Sequence, residues 1–81
     1  MEHKHERIME GGLKERVTIT RNETEIIVHF EDDHILNETV YAVFAGLDLA
    51  EKAYDELVAA CPTIHDGQSK FDDILEHYGF E

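Results

Sequence analysis

The hydrophobic period of this chain changes once, near residue 35, and that change limits the fold more than any other feature. From Glu25 to Glu31 apolar and polar residues alternate, with Ile26, Val28 and Phe30 on one face and Glu25, Ile27, His29 and Glu31 on the other. Val17 and Ile19 alternate in the same way just upstream. Alternation of this kind is the mark of half-buried strands. From Leu36 onward, Leu36, Val40, Val43, Phe44, Leu47, Ala50, Tyr54, Leu57, Val58 and Cys61 recur at intervals of three and four. That is the stripe of an amphipathic helix. Strands followed by helices predict an α+β domain, an antiparallel hairpin or three-stranded sheet packed against two C-terminal helices. At 81 residues the chain has room for one small domain and one modest core.

Within that frame the spacing makes specific demands. A loop centred on Asn22-Glu23 sets Ile19 opposite Ile26, Val17 opposite Val28, Lys14 opposite Glu31 and Thr18 opposite Ile27. Gly11-Gly12 breaks the chain upstream, leaving residues 3–10 either a third strand or a short helix. Asn37 suits the N-cap of the long helix, and Pro62 ends it at Cys61. Gly46, followed by Asp48 and Glu51 in a capping-box arrangement, divides that helix or kinks it. The β-branched and aromatic content of Thr39 to Ala45 supports a rival strand there; the in-phase stripe favours the helix. Ser69 caps the final helix, which carries Phe71, Ile74, Leu75 and Tyr78 on one face and ends at Gly79.

Charge then narrows the function. Residues 31–81 contain thirteen acidic side chains and two basic ones, Lys52 and Lys70, whereas residues 1–30 hold six acids and five bases. The net charge of −12 is therefore a property of the C-terminal two-thirds. Three groups stand out. Asp48, Glu51, Asp55 and Glu56 fall opposite the apolar stripe of the long helix; Asp72, Asp73 and Glu76 do the same on the short one; Glu31, Asp32 and Asp33 follow the hairpin. Like-charged neighbours one helical turn apart, such as Glu51 and Asp55, cost a few tenths of a kcal/mol. A face that accepts such repulsion either keeps the protein soluble or meets a positively charged partner. Duplex DNA carries about one charge per 1.7 Å of axis, and two acidic helices with a loop can imitate part of that array.

Catalysis is not indicated. Cys61 precedes a proline at a helix C-terminus, the wrong end for an activated thiolate, and forms no intrachain disulfide. Asp32-Asp33 and Asp72-Asp73 lack the burial that separates two carboxyl pKa values. Gly11-Gly12 matches no phosphate-binding loop. The histidines at 3, 5, 29, 34, 65 and 77 show no metal-site spacing, and no metal or cofactor is expected. Met1 to Glu6 has no apolar segment behind it, and the longest apolar run, Val40 to Leu47, is too short to span a bilayer. A soluble, cytoplasmic protein that is repelled by nucleic acid and by anionic membranes follows as the expectation.

In size, charge and compactness the chain resembles small acidic inhibitors of phages and mobile elements, the DNA-mimic anti-restriction and anti-CRISPR proteins. The resemblance implies a non-enzymatic inhibitor that occupies the basic surface of a nucleic-acid-processing protein. It carries over no individual residue. An alternative is a small regulatory or adaptor module that binds through an apolar surface, often as a homodimer. Ile27 and Tyr41, the latter near Ala45 and Leu49, are the candidates for that surface.

Overall fold

A computed structural model describes residues 2–8, 12–60 and 64–78. Four strands and two helices follow in order: β1 Glu2–Ile8, β2 Lys14–Asn22, β3 Glu25–Asp32, β4 Asn37–Val43, α1 Leu47–Ala60 and α2 Ile64–His77. The strands form one antiparallel sheet in the order β1-β2-β3-β4, a meander in which every strand pairs with its neighbour in sequence. Both helices pack on a single face of it, so the α+β arrangement anticipated from the period change is the one observed.

Alternation explains the layering. Val17, Ile19, Ile26, Val28 and Phe30 point to the helices and are each no more than 1 % exposed. Ala42 and Phe44 extend that floor, and Ala50, Ala53, Tyr54, Leu57, Phe71 and Ile74 close it from above. One close approach makes the packing possible. A Cβ added at Gly67 would stand 2.9 Å from Cε1 of Phe30, inside contact distance, so a side chain there would hold α2 off the sheet.

Three sequence expectations are corrected. The first concerns residues 37–43, assigned above to the helix: they form β4, with Val28 opposite Val40 and Ile26 opposite Ala42. Val40, Phe44 and Leu47 satisfy helical spacing, yet Val40, Ala42 and Phe44 satisfy strand spacing equally well. The open edge of β3 and the β-branched content decide for the strand. Asn37 thus opens a strand and caps nothing. The helix begins after Gly46, whose carbonyl accepts from the amide of Ala50 at 3.1 Å.

The second is the hairpin register. Asn22 pairs with Glu25, which leaves Glu23-Thr24 as the two-residue loop, with Glu23 at φ 60°. Two-residue hairpin loops require positive φ, and here a glutamate accepts it. Its carbonyl takes a hydrogen bond from Arg21 Nη1 at 2.9 Å. Every pair therefore slides by two. Ile19 faces Val28, Val17 faces Phe30, Thr18 faces His29, and Arg16 replaces Lys14 opposite Glu31. An even slip keeps each side chain on its face, which is why the core survived the error.

The third is α2, which starts at Ile64 and makes Ser69 an interior, exposed position instead of a cap. Of the two options left open for residues 3–10, the strand is the one formed over the described part: Glu2 to Ile8 pair with Thr20 to Lys14, while residues 9–11 lie outside the described residues. Cys61, Pro62 and Gly79 lie outside the described residues.

Candidate acidic interface

The inward stripe of α1 fixes its outward one. With Ala50, Ala53, Tyr54 and Leu57 buried, Asp48, Glu51 and Asp55 are exposed, spaced three and four residues apart along one flank. Together with Glu56, Lys52 and Ala59 they line a wide open depression of about 470 Å³. On α2, Phe71 and Ile74 point inward and Asp72, Asp73 and Glu76 outward. Asp73 lies 3.8 Å from Lys70 Nζ and 3.3 Å from His77 Nε2.

Tyr78 joins the two helices. Its hydroxyl donates to the carboxylate of Glu56 on α1, and its ring stands edge-on to Phe44, with centroids 6.3 Å apart and planes at 85°. Lys52 Nζ sits 5.6 Å from the centre of the same ring. The hydrogen bond to Glu56, partial burial, and the charges of Glu56 and Asp73 push the phenol up to about 12. The Glu56–Tyr78 hydrogen bond thus ties the outer side of α1 to the residue that follows α2. The two lysines of the helices are both engaged, Lys52 over Tyr78 and Lys70 at Asp73.

The third predicted group is treated differently. Arg16 Nη1 donates to Glu31 Oε1 at 2.9 Å, Nη2 to Asp33 Oδ1 at 3.0 Å, and Nε to Glu6 Oε2 at 2.9 Å. The hydrogen bonds to Glu6 and Asp33 raise the guanidinium pKa further above its ordinary value. Lys14 adds an ion pair to Glu6 at 3.7 Å and its backbone amide donates to Asp33 Oδ2 at 3.1 Å. Asp32 turns inward on its own loop, where Oδ1 accepts from the amides of His34 at 2.9 Å and Leu36 at 3.0 Å. Those two amide bonds hold its carboxyl below the usual range. Glu31 belongs to the sheet face turned away from the helices, so Glu31, Asp32 and Asp33 do not join the helical acids.

Among the described residues one triad has ligand atoms close enough for a cation: Asp73, Glu76 and His77, all exposed, within 4.8 Å of one another. His29 Nδ1 is 2.8 Å from Thr39 Oγ1 on the bare sheet face. The side chains of His3, His5 and His65 are outside the description. On that same face Tyr41, 68 % exposed, is the register partner of Ile27. Glu38 was missed as a site residue because the helical reading gave it no special place. As part of β4 it stands opposite Phe30, on the helix-facing side.

No described helix is long and apolar enough to cross a membrane. Comparison with protein-family models, curated proteins and solved structures finds no match for this chain, so no residue role passes to it from a relative.

Proposed function

We propose that this chain is a non-enzymatic acidic binding protein of the cytosol that blocks the nucleic-acid-binding surface of a basic partner. The observation that supports it is the exposed acids on the outer sides of α1 and α2, Asp48, Glu51, Asp55, Asp72, Asp73 and Glu76, beside which both lysines are already engaged. From Asp48 to Asp55 the axial rise is about 10 Å, a length over which duplex DNA presents about six charges. The α1 flank supplies three acids over that length, Asp48, Glu51 and Asp55, to compete for part of a Lys/Arg-lined groove. Binding of this kind associates fast and weakens as salt rises.

The test is capture from a nuclease-treated lysate on the immobilised protein, elution with a salt gradient, and displacement by duplex DNA. Nucleic-acid-binding proteins are expected to leave at moderate salt and to be displaced by the duplex. A triple variant, Asp48→Asn with Glu51→Gln and Asp55→Asn, should bind about ten- to a hundred-fold more weakly, each rim charge contributing up to about 1 kcal/mol. Partners that survive high salt and bind the triple variant unchanged would sink the reading.

A second reading has one observation behind it, the Ile27–Tyr41 pair on the bare face of the sheet. It makes that patch a contact for a second copy of the chain, with the acids serving solubility. Sedimentation equilibrium of the wild type and of Tyr41→Glu decides it, since only a dimer through this patch would become monomeric in the variant.

A further inference from the structure

We infer that the cleft between β4 and α2 is a socket for one arginine side chain of a basic partner protein. The inference rests on the binding role proposed above and names a specific contact for it. Phe30 and Phe71 form the buried part of the cleft, Val40 and Gln68 its half-buried wall, and Glu38 and Asp72 its exposed edge. Its volume is about 180 Å³, the space of roughly six waters at ~30 Å³ each. That suits one side chain and is too small for a nucleotide or a peptide segment. Apolar walls beneath a carboxylate rim ask for an apolar stem that ends in a cation. Two separate carboxylates favour the flat, many-donor guanidinium over a compact ammonium.

The position of Glu38 strengthens the case. Opposite Phe30 it occupies a helix-facing register site, which sets its exposed carboxylate at the mouth of the cleft. Among the described residues neither Glu38 nor Asp72 has an ion-pair partner. The cation nearest in sequence to Asp72, Lys70, is turned to Asp73.

The test is an NMR titration of the whole isotope-labelled chain with n-butylguanidinium, n-butylammonium and guanidinium chlorides at constant ionic strength. Saturable shifts confined to Phe30, Val40, Gln68 and Phe71 are expected, tightest for butylguanidinium. Glu38→Gln with Asp72→Asn should weaken that binding about ten-fold, whereas the α1 triple variant should bind as the wild type does. Shifts spread evenly over the carboxylates, no gain from the butyl stem, or butylammonium binding as tightly would each overturn the socket. Self-association of the Glu38→Gln, Asp72→Asn variant without loss of butylguanidinium binding would also overturn it and assign Glu38 to guarding the edge of β4. The two proposals separate cleanly. Captured partners that hold this double variant as tightly as the wild type sink the socket alone, and cleft binding without any DNA-displaceable partner sinks the proposed function alone.

Discussion

The two sides of the sheet handle negative charge in opposite ways. On the bare side, Glu6, Glu31 and Asp33 converge on Arg16, and Lys14 supports them. On the helical side, Asp48, Glu51, Asp55, Asp72 and Glu76 form no ion pair among the described residues, while Lys52 and Lys70 are committed to Tyr78 and Asp73. A strand pair brings opposite charges together at fixed register, so the sheet can neutralise its acids internally. A helix flank can do so only through residues a turn away, and this one has few bases to use. The difference teaches that acidity by itself is a poor guide to a binding face. What separates the two sides is whether the chain spends its own cations on the acids.

The sharpest way to break the comparison is to lift the helices off the sheet. Gly67→Val places branched carbon atoms where a Cβ already comes within 2.9 Å of the Phe30 ring. Overpacking of a tight core costs about 1–3 kcal/mol, and the upper part of that range is expected because Phe30 is itself fully buried. Urea unfolding measures it as a lower midpoint at unchanged slope. A midpoint equal to the wild type would mean that α2 does not press on β3 as described.

A smaller effect is expected from Arg16→Ala, which leaves Glu6, Glu31 and Asp33 facing one another. The melting temperature should fall by a few degrees, and added salt should recover most of it, because screening relieves the repulsion now exposed. In the wild type, salt acts on both sides with opposite signs: it weakens the Arg16 cluster and relieves the helical acids. The variant should therefore respond more steeply to salt than the parent. Equal slopes would show that the cluster contributes nothing.

These contrasts also show what the sequence could and could not disclose. The inner face of the hairpin was legible from Val17, Ile19, Ile26, Val28 and Phe30, because parity alone assigns a strand residue to a face. The register was not, since Asn22-Glu23 and Glu23-Thr24 are both poor hairpin loops and nothing local chooses between them. That slip hid the Arg16–Glu31 pair, and with it the reason to set Glu31 apart from the helical acids. Residues 37–43 were misassigned because Val40 and Phe44 fit both periods, and the decision came from an open strand edge distant in sequence. The outward acids of both helices were legible for the same reason as their cores. The tie through Tyr78 was not, as Glu56 and Tyr78 meet only when the two helices pack.

Acid sensitivity distinguishes the loop from the faces. Asp32 is held below the usual carboxylate range by the amides of His34 and Leu36. A depressed folded pKa gives stability that is present above the unfolded value and is lost as pH falls through the folded one. The loss should thus appear below about pH 4, where an ordinary Asp side chain titrates. Asp32→Asn keeps an oxygen acceptor for both amides and removes this titration, so its stability should fall less steeply than the wild type's across that window. A wild-type-like acid limb in the variant would place the sensitivity elsewhere.

Tyr78→Phe is the mildest of these changes and tests the seam between the helices. The phenol is pushed up to about 12, first by its hydrogen bond to Glu56, then by partial burial and by the charges of Glu56 and Asp73. A raised folded pKa gives stability that is complete below the unfolded value near pH 10 and disappears as pH climbs to about 12. At neutral pH the variant should lose less than about 1 kcal/mol, since water competes for a part-exposed hydroxyl. The ring remains against Phe44 and Lys52, so the core is kept. Phenolate absorbance should lose one component with a midpoint near 12 in the variant. If neutralising Glu56 by Glu56→Gln leaves that midpoint unmoved, the Glu56–Tyr78 bond does not couple the two helices.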